Sequence, residues 1–359
     1  MELAHLRARR FRNLGDLRIE PGPGVCVLFG DNAQGKTNIV EAVHLLSNLQ
    51  SFRTRRTRDL IGSGFPEALV EGDISGRNGT VRLQIQLDAG GRTARVDGKS
   101  PPSASSYLSE FHTVLFSPVD IDLARGSQDL RRRYVDRATF LRDPGHLARL
   151  RDYNRVLRQR NTCLRRGDGG LEVWDEQLAD LGAAVHGARI GTVAELSPVI
   201  ADLHRELSGG EAVEIACTAP YAQDQGGAEE LRQSLRQGRE RDTRLGYTST
   251  GPHRDTVRLR LDGRPVERFG SQGQMRSLAL SLKLALLSWG RTVLGEEPVF
   301  LLDDPGSELD SIRLRTLARF LEDWPGQVLI AGTERDAVPV PDPGNARYYR
   351  VTAGCAAAA

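Results

Sequence analysis

The stretch GDNAQGKT (residues 30–37) constrains this chain more than any other. It fits the pattern G-x-x-x-x-G-K-[ST], whose glycines let backbone N–H groups wrap around a phosphate. VCVLF (25–29) precedes it, a short apolar run suited to a buried strand. TNIVEAVHLLSNL (37–49) follows, with Ile39, Val40, Val43 and Leu46 at helical spacing. A strand, a glycine turn and a helix N-terminus aim several N–H groups at one point, which makes an anion site. Gly30, Asp31, Asn32, Ala33, Gln34 and Gly35 are expected to form the loop. Lys36 would then reach the β- and γ-phosphates of a nucleoside triphosphate, and Thr37 would ligate Mg²⁺.

A triphosphatase also needs a carboxylate for the metal and a group that positions water. VFLLDD (299–304) is a second buried-strand run, ending in two Asp. Asp303 is expected to hold Mg²⁺ and Asp304 to face the γ-phosphate as general base or water-orienting group. Upstream lies FGSQGQMRSLALSLKLALLSW (269–289), in which Ser271, Gly273 and Gln274 open a long apolar helix. This turn again presents N–H groups and a hydroxyl to a negative ligand, although a plain Ser-capped helix has the same look. One triphosphate does not need two cradles in one chain, so this turn is expected to close on the nucleotide of a second copy. Asp310, in SELD (307–310), would contact the partner subunit near that nucleotide.

These four motifs resemble an ABC-type ATPase head, in which they are the Walker A, signature, Walker B and D-loop elements. FRNL (11–14), SFRTRRTRDLI (51–61), FSPVDIDL (116–123), RRRYVD (131–136), YNRVLRQRN (153–161) and TGPHRD (250–255) extend the likeness to the RecF family, bacterial recombination-repair ATPases of the SMC-like branch. The resemblance implies an α/β fold: an ABC-type P-loop ATPase head with a mixed sheet and an antiparallel β part. A mainly helical arm or lid domain is inserted in it. It further implies ATP and Mg²⁺ as cofactors, duplex DNA and single-strand/duplex junctions as partners, an ATP-dependent homodimer, and the mediator RecR as a protein partner. Three departures from the ABC pattern are visible. Asp304 stands where Glu is usual, Thr333 stands where a switch histidine is usual, and no Q-loop glutamine is evident. Slow hydrolysis is the expectation.

The two ends of the chain must meet in the head, because the Walker A and Walker B stretches lie at opposite ends. We expect the head over 1–124 and 241–359 and the helical domain over 125–240. TVRLQIQL (80–87), DAGG and RTARVDG read as a β-hairpin, and VRLRLDGRPV (257–266) repeats that pattern. Leu147, Leu150, Tyr153, Leu157 and Leu164 recur at helical spacing, as do Trp174 through Leu196 until Ser197–Pro198. Two antiparallel helices of about 30 Å each, joined by RRGDGGLEV, are expected, and the second is expected to break or kink at Ser197–Pro198. Residues 223–227 and the C-terminal GCAAAA read as irregular.

The net charge of +2 conceals an asymmetry. Residues 125–166 hold thirteen Arg against four Asp, with no Lys or Glu, which suggests a polyanion partner or a solvated Arg-rich surface. Arg53, Arg55, Arg56, Arg58, Arg131, Arg132 and Arg133 are the candidate DNA-phosphate contacts. Cys26, Cys163, Cys217 and Cys355 contain no CxxC pair, which excludes an obvious zinc site and predicts a reducing compartment. No apolar run approaches about 18 residues, so no membrane span and a cytoplasmic location are expected. Two other classes stay open. An ABC-type switch acting on a protein partner without DNA is disfavoured by the 241 residues between Gly30 and Ser271. A P-loop kinase would have no need of the SQGQ turn.

Overall fold

The computed structural model describes all residues except 168, 223–225, 337–339, 341–343 and 345. The chain divides into two compact units, 1–120 with 279–359 and 121–278. The second unit therefore runs beyond the expected boundary at 240, and 241–278, including Ser271–Gln274, belongs to it by contact. The antiparallel pairing of Val213–Thr218 with Thr256–Leu261 accounts for this, since it ties the segment to the helical insertion.

The first unit holds two sheets. Five antiparallel strands stand in the order Leu14–Ile19, Glu2–Phe11, Ala68–Gly76, Gly79–Asp88, Gly91–Val96. The last two are the hairpin that the alternation of TVRLQIQL predicts. The second sheet has the order Cys355–Ala358, Arg347–Thr352, Val25–Phe29, Val328–Gly332, Val299–Asp303, Thr113–Phe116. It is parallel except for Cys355–Ala358. Its inner strands read as unbroken apolar runs, and every residue of Val299–Asp303 and Val328–Gly332 is buried, as strands covered on both faces require.

The helix Lys36–Asn48 lies in the core shared by the two sheets. Ile39, Val43 and Leu46 pack with Leu3, Leu6, Val70 and Ile85 of one and with Leu301 and Leu329 of the other. The approach is close at Gly72, where a Cβ would stand 2.9 Å from both Leu3 Cδ1 and Leu46 Cδ1.

In the helical unit, His146–Arg166 and Leu171–Ser208 run antiparallel. Arg160 bonds Asp175, and Gly182 lies against Tyr153. The second helix passes Pro198 without a break, so it is 38 residues long, about 57 Å at 1.5 Å per residue. Proline costs a helix interior about 3 kcal/mol. Burial of Val193, Leu196, Ile200 and His204 on either side of it offsets that cost.

Two buried charge clusters that periodicity does not reveal stitch this unit together. Arg160 is fully buried between Asp175 and Asp242 at 2.7 and 2.8 Å. Arg189 joins Asp136 and Asp255, the latter also bonded to His186. Removing one partner from such a cluster leaves an uncompensated buried charge, at about 3–5 kcal/mol.

A further reading of the sequence falls to the structure. The C-terminal GCAAAA is not irregular, because Cys355–Ala358 pairs with Arg347–Thr352. Ala353 and Gly354, at φ 48° and 79°, form the two-residue turn that matches strand twist. The helix Gln272–Leu294 is, among the described residues, long and apolar enough to cross a membrane, although 67% of its most apolar window is buried inside the protein. Gln223, Asp224 and Gln225, within a stretch expected to be irregular, and Asp168 of the helix connection lie outside the described residues.

Candidate nucleotide site

At the end of Val25–Phe29 the chain turns at Gly30, where φ is 146° and a Cβ would meet Val351 O at 2.4 Å. Only glycine fits there. Asp31, Asn32 and Ala33 are exposed at the crest of the loop, with Ala33 in the left-handed region. Gly35 (φ 118°) returns the chain beneath Asn13, whose Oδ1 would stand 2.9 Å from a Cβ. The helix Lys36–Asn48 then begins with no side-chain cap, so its leading N–H groups are left for a ligand.

Lys36 Nζ donates to Gly30 O at 2.6 Å and Asp31 O at 2.7 Å, so the ammonium is held by the two carbonyls where the loop begins. Burial lowers its pKa, while Asp304, Asp31 and Asp303 oppose that shift. Thr37 Oγ1 donates to Asp303 Oδ1 at 2.8 Å, joining two groups 266 positions apart. Burial lifts the Asp303 carboxyl above its ordinary value, and Asp304 and Glu41 add to this against the Thr37 hydrogen bond and Arg53. A buried carboxylate beside a hydroxyl is the hard-oxygen pair that Mg²⁺ takes, usually with water and phosphate completing its shell. The residues present therefore fit Mg²⁺ and a triphosphate.

Asp304 follows at φ 51°, ψ 51°, with its N–H on Ala331 O at 2.9 Å. A non-glycine residue in this region costs roughly 1–3 kcal/mol and persists only where its surroundings impose it. Parallel strands put Asp303, Asp304 and Gly30 at the same edge, with Val328–Gly332 between them. Thr333 follows that middle strand and is exposed.

Around this centre lies a layer that reading the sequence missed. Glu41 is fully buried and receives Arg12 through Nε at 2.9 Å and Nη2 at 2.8 Å, as well as Ser51 Oγ. Arg53 Nη1 bonds Asn38 Oδ1 at 2.7 Å, and Asn38 Nδ2 bonds Asn13 Oδ1 at 2.7 Å. From the other side the C-terminal turn docks on the loop, with Ala353 N donating to Gln34 Oε1 and Gly354 N to Gln34 O. A carboxylate placed among the apolar positions of the helix was the available sign of Glu41. The turn left none beyond Gly354.

Ser271, Gly273 and Gln274 lie in the helical unit, whereas Gly30–Thr37 and the two Asp lie in the other. Ser271 Oγ accepts from Gln274 N at 3.2 Å and Gln274 Oε1 accepts from Ser271 N at 2.8 Å, a reciprocal cap. Gln274 Nε2 donates to Glu211, whose other oxygen meets His204 Nε2 at 3.0 Å. The Gln274 amide is thus committed inward, while Ser271 is exposed and Gly273 partly so. Asp310 caps the helix Ser311–Glu322, accepting from Arg313 N at 3.0 Å, and that bond lowers its pKa.

The candidate phosphate contacts separate by exposure. Arg55, Arg56 and Arg58 are exposed and make no ion pair among the described residues. Arg53 is half-exposed but engaged as above. Arg131 is withdrawn as a contact, being 2% exposed with its guanidinium consumed by the carbonyls of Leu123, Ala124 and Val257. Arg132 is largely covered and bonds Asp255 O at 2.6 Å, whereas Arg133 is exposed.

The family model of the RecF/RecN/SMC N terminal domain matches residues 2–343. A DNA replication and repair protein RecF from an Anaeromyxobacter species is 39% identical over 363 residues, covering 99% of this chain and 98% of its own. The structure of the recombination mediator protein RecF with ATP superposes at a TM-score of 0.92 with 29% identity, covering 100% of this chain and 99% of the other. An Smc head domain from Pyrococcus furiosus, at TM-score 0.59 and 14% identity over 99% of this chain and 95% of that one, shares the fold. The chain belongs to the RecF family, within the RecF/RecN/SMC N-terminal-domain proteins.

Proposed function

We propose that this protein is an ATP-dependent DNA-binding ATPase of DNA replication and repair, acting in the bacterial cytoplasm. ATP binding would join two copies on DNA and slow hydrolysis would release them. Family membership supports the DNA-repair role and ATP binding. The observation that carries the rest is the Thr37–Asp303 bond beneath the Lys36 loop, which assembles a phosphate cradle, an ammonium and a metal-type oxygen pair at one strand edge. Bound Mg²⁺ would neutralise phosphate charge there.

The loop N–H groups and Lys36 hold the phosphates, Thr37 and Asp303 fix the metal, and Asp304 orients the attacking water. Its shorter reach, compared with the usual Glu, supports slow turnover. Ser271 and Gly273 serve as the signature turn for the nucleotide of the other copy, with Asp310 beside it. Arg55, Arg56, Arg58 and Arg133 contact DNA phosphates, and RecR is the protein partner that family resemblance suggests. The test is anisotropy of a labelled duplex with ATP, with ADP and without nucleotide. Tight binding with ATP alone supports the reading. Weak binding in all three states removes DNA and leaves an ATPase switch directed at a protein.

A further inference from the structure

The helical unit carries an arginine surface that the nucleotide site does not use. On the helix His146–Arg166, Arg151, Arg158 and Arg165 recur every seven residues with Arg155 between them, and all four are exposed. They share one face over about 21 Å at 1.5 Å per residue. Asp152 is the carboxylate within that face, 3.3 Å from Arg151 and 3.8 Å from Arg155. Among the described residues no carboxylate pairs with Arg158, Arg165 or Arg166.

Beside the C-terminal end of this helix, the last residue of the short helix Arg239–Leu245 and the hydrogen-bonded loop that follows it display two apolar side chains. Leu245 is 46% exposed and Tyr247 40% exposed. Mobility does not explain their exposure. Thr248 donates its amide and its hydroxyl to Asn161 Oδ1, each at 2.7 Å, and Ser249 N donates to Asp242 Oδ1 at 3.1 Å. Buried Arg160 bonds both Asp242 and Thr248 from below. Gly246 sits against the Arg165 side chain, and the Arg254 guanidinium lies 5.4 Å from the centre of the Tyr247 ring. Exposed Arg244 adds to the charge, and exposed Glu240 on the same short helix is the opposing group.

A fixed aromatic ring beside a face of exposed arginines matches a ligand with both phosphates and accessible ring faces. Duplex DNA offers the phosphates but keeps its bases stacked; an unpaired segment offers both. We infer that this surface binds single-stranded DNA, its backbone along Arg151, Arg155, Arg158 and Arg165 and one unpaired base on Tyr247. The inference rests on the DNA-binding reading above and adds a means of recognising unpaired bases that phosphate contacts lack.

The test uses the full-length protein with ATP, a blunt duplex, and a gapped duplex carrying 2-aminopurine in the gap. Tyr247→Ala is expected to weaken gapped DNA about tenfold, and the duplex less, with loss of the 2-aminopurine signal. Tyr247→Phe restores both affinity and signal, which separates stacking from a folding defect. Arg158→Glu with Arg165→Glu is expected to weaken gapped DNA and reduce the salt dependence of its binding. Wild-type affinity and signal in Tyr247→Ala overturn the inference while the DNA-binding reading stands. If the wild-type protein binds neither DNA, both fall.

Discussion

Lys36 and Asp303 are charged groups that the folded protein buries at a cost. Lys36→Met removes the ammonium that bridges Gly30 O and Asp31 O, and ATP binding is expected to fall at least a hundredfold in fluorescence titrations. Asp303 makes a sharper case. Burial raises its pKa, so its ionised form weakens the nucleotide-free fold as pH rises through that value. Asp303→Asn can still accept from Thr37 and carries no charge. It is expected to stabilise the free protein at pH 7 by about 1 kcal/mol while abolishing Mg²⁺-dependent nucleotide binding. Thermal melts with and without MgATP check both halves, and the gain should vanish below the carboxylate range. Asp304→Asn is expected to slow turnover at least a hundredfold while ATP still binds, as single-turnover assays would show. Gly30, Lys36, Thr37 and Asp303 were legible because phosphate chemistry fixes residue type and spacing locally. Glu41 and Arg12 were not, since a buried ion pair joins positions with no common spacing, and Arg131 misled because its exposure depends on the surrounding fold.

At the scale of elements, strands covered on both faces and the alternating hairpin announced themselves through pattern. The C-terminal strand did not, since alanine has little intrinsic preference for strands and its place depends on its partner. That hairpin backs the phosphate loop, and a Cβ on Gly354 would stand 2.1 Å from Asn13 O. Gly354→Ala is therefore expected to raise the Kd for ATP about tenfold, roughly 1.4 kcal/mol, although it touches no nucleotide. Calorimetric titration beside a thermal melt would separate this from general instability. The uninterrupted helix through Pro198 shows the converse, a local breaker overruled by burial along one face.

For the whole molecule, the two-ended head was readable because Walker A and Walker B need each other across nearly 270 positions. The edge of the helical unit was misplaced, since antiparallel pairing of 213–218 with 256–261 depends on a register invisible from either segment alone. Ser271→Arg is expected to prevent ATP-driven dimers in light scattering while each monomer still binds ATP; persistent dimers would remove the signature turn from the partner's nucleotide. The sheet order has a further consequence, for synthesis. Val25–Phe29 lies between strands that begin at Val328 and Arg347. A ribosome adding 5–20 residues per second makes its first neighbour roughly 15–60 s after the strand itself. During that interval a sticky apolar segment emerges with neither edge covered, while the helical insertion, whose contacts are more local, can already fold. Stalled or truncated translation products would thus expose the phosphate-loop strand, which makes them natural clients for chaperones and proteases.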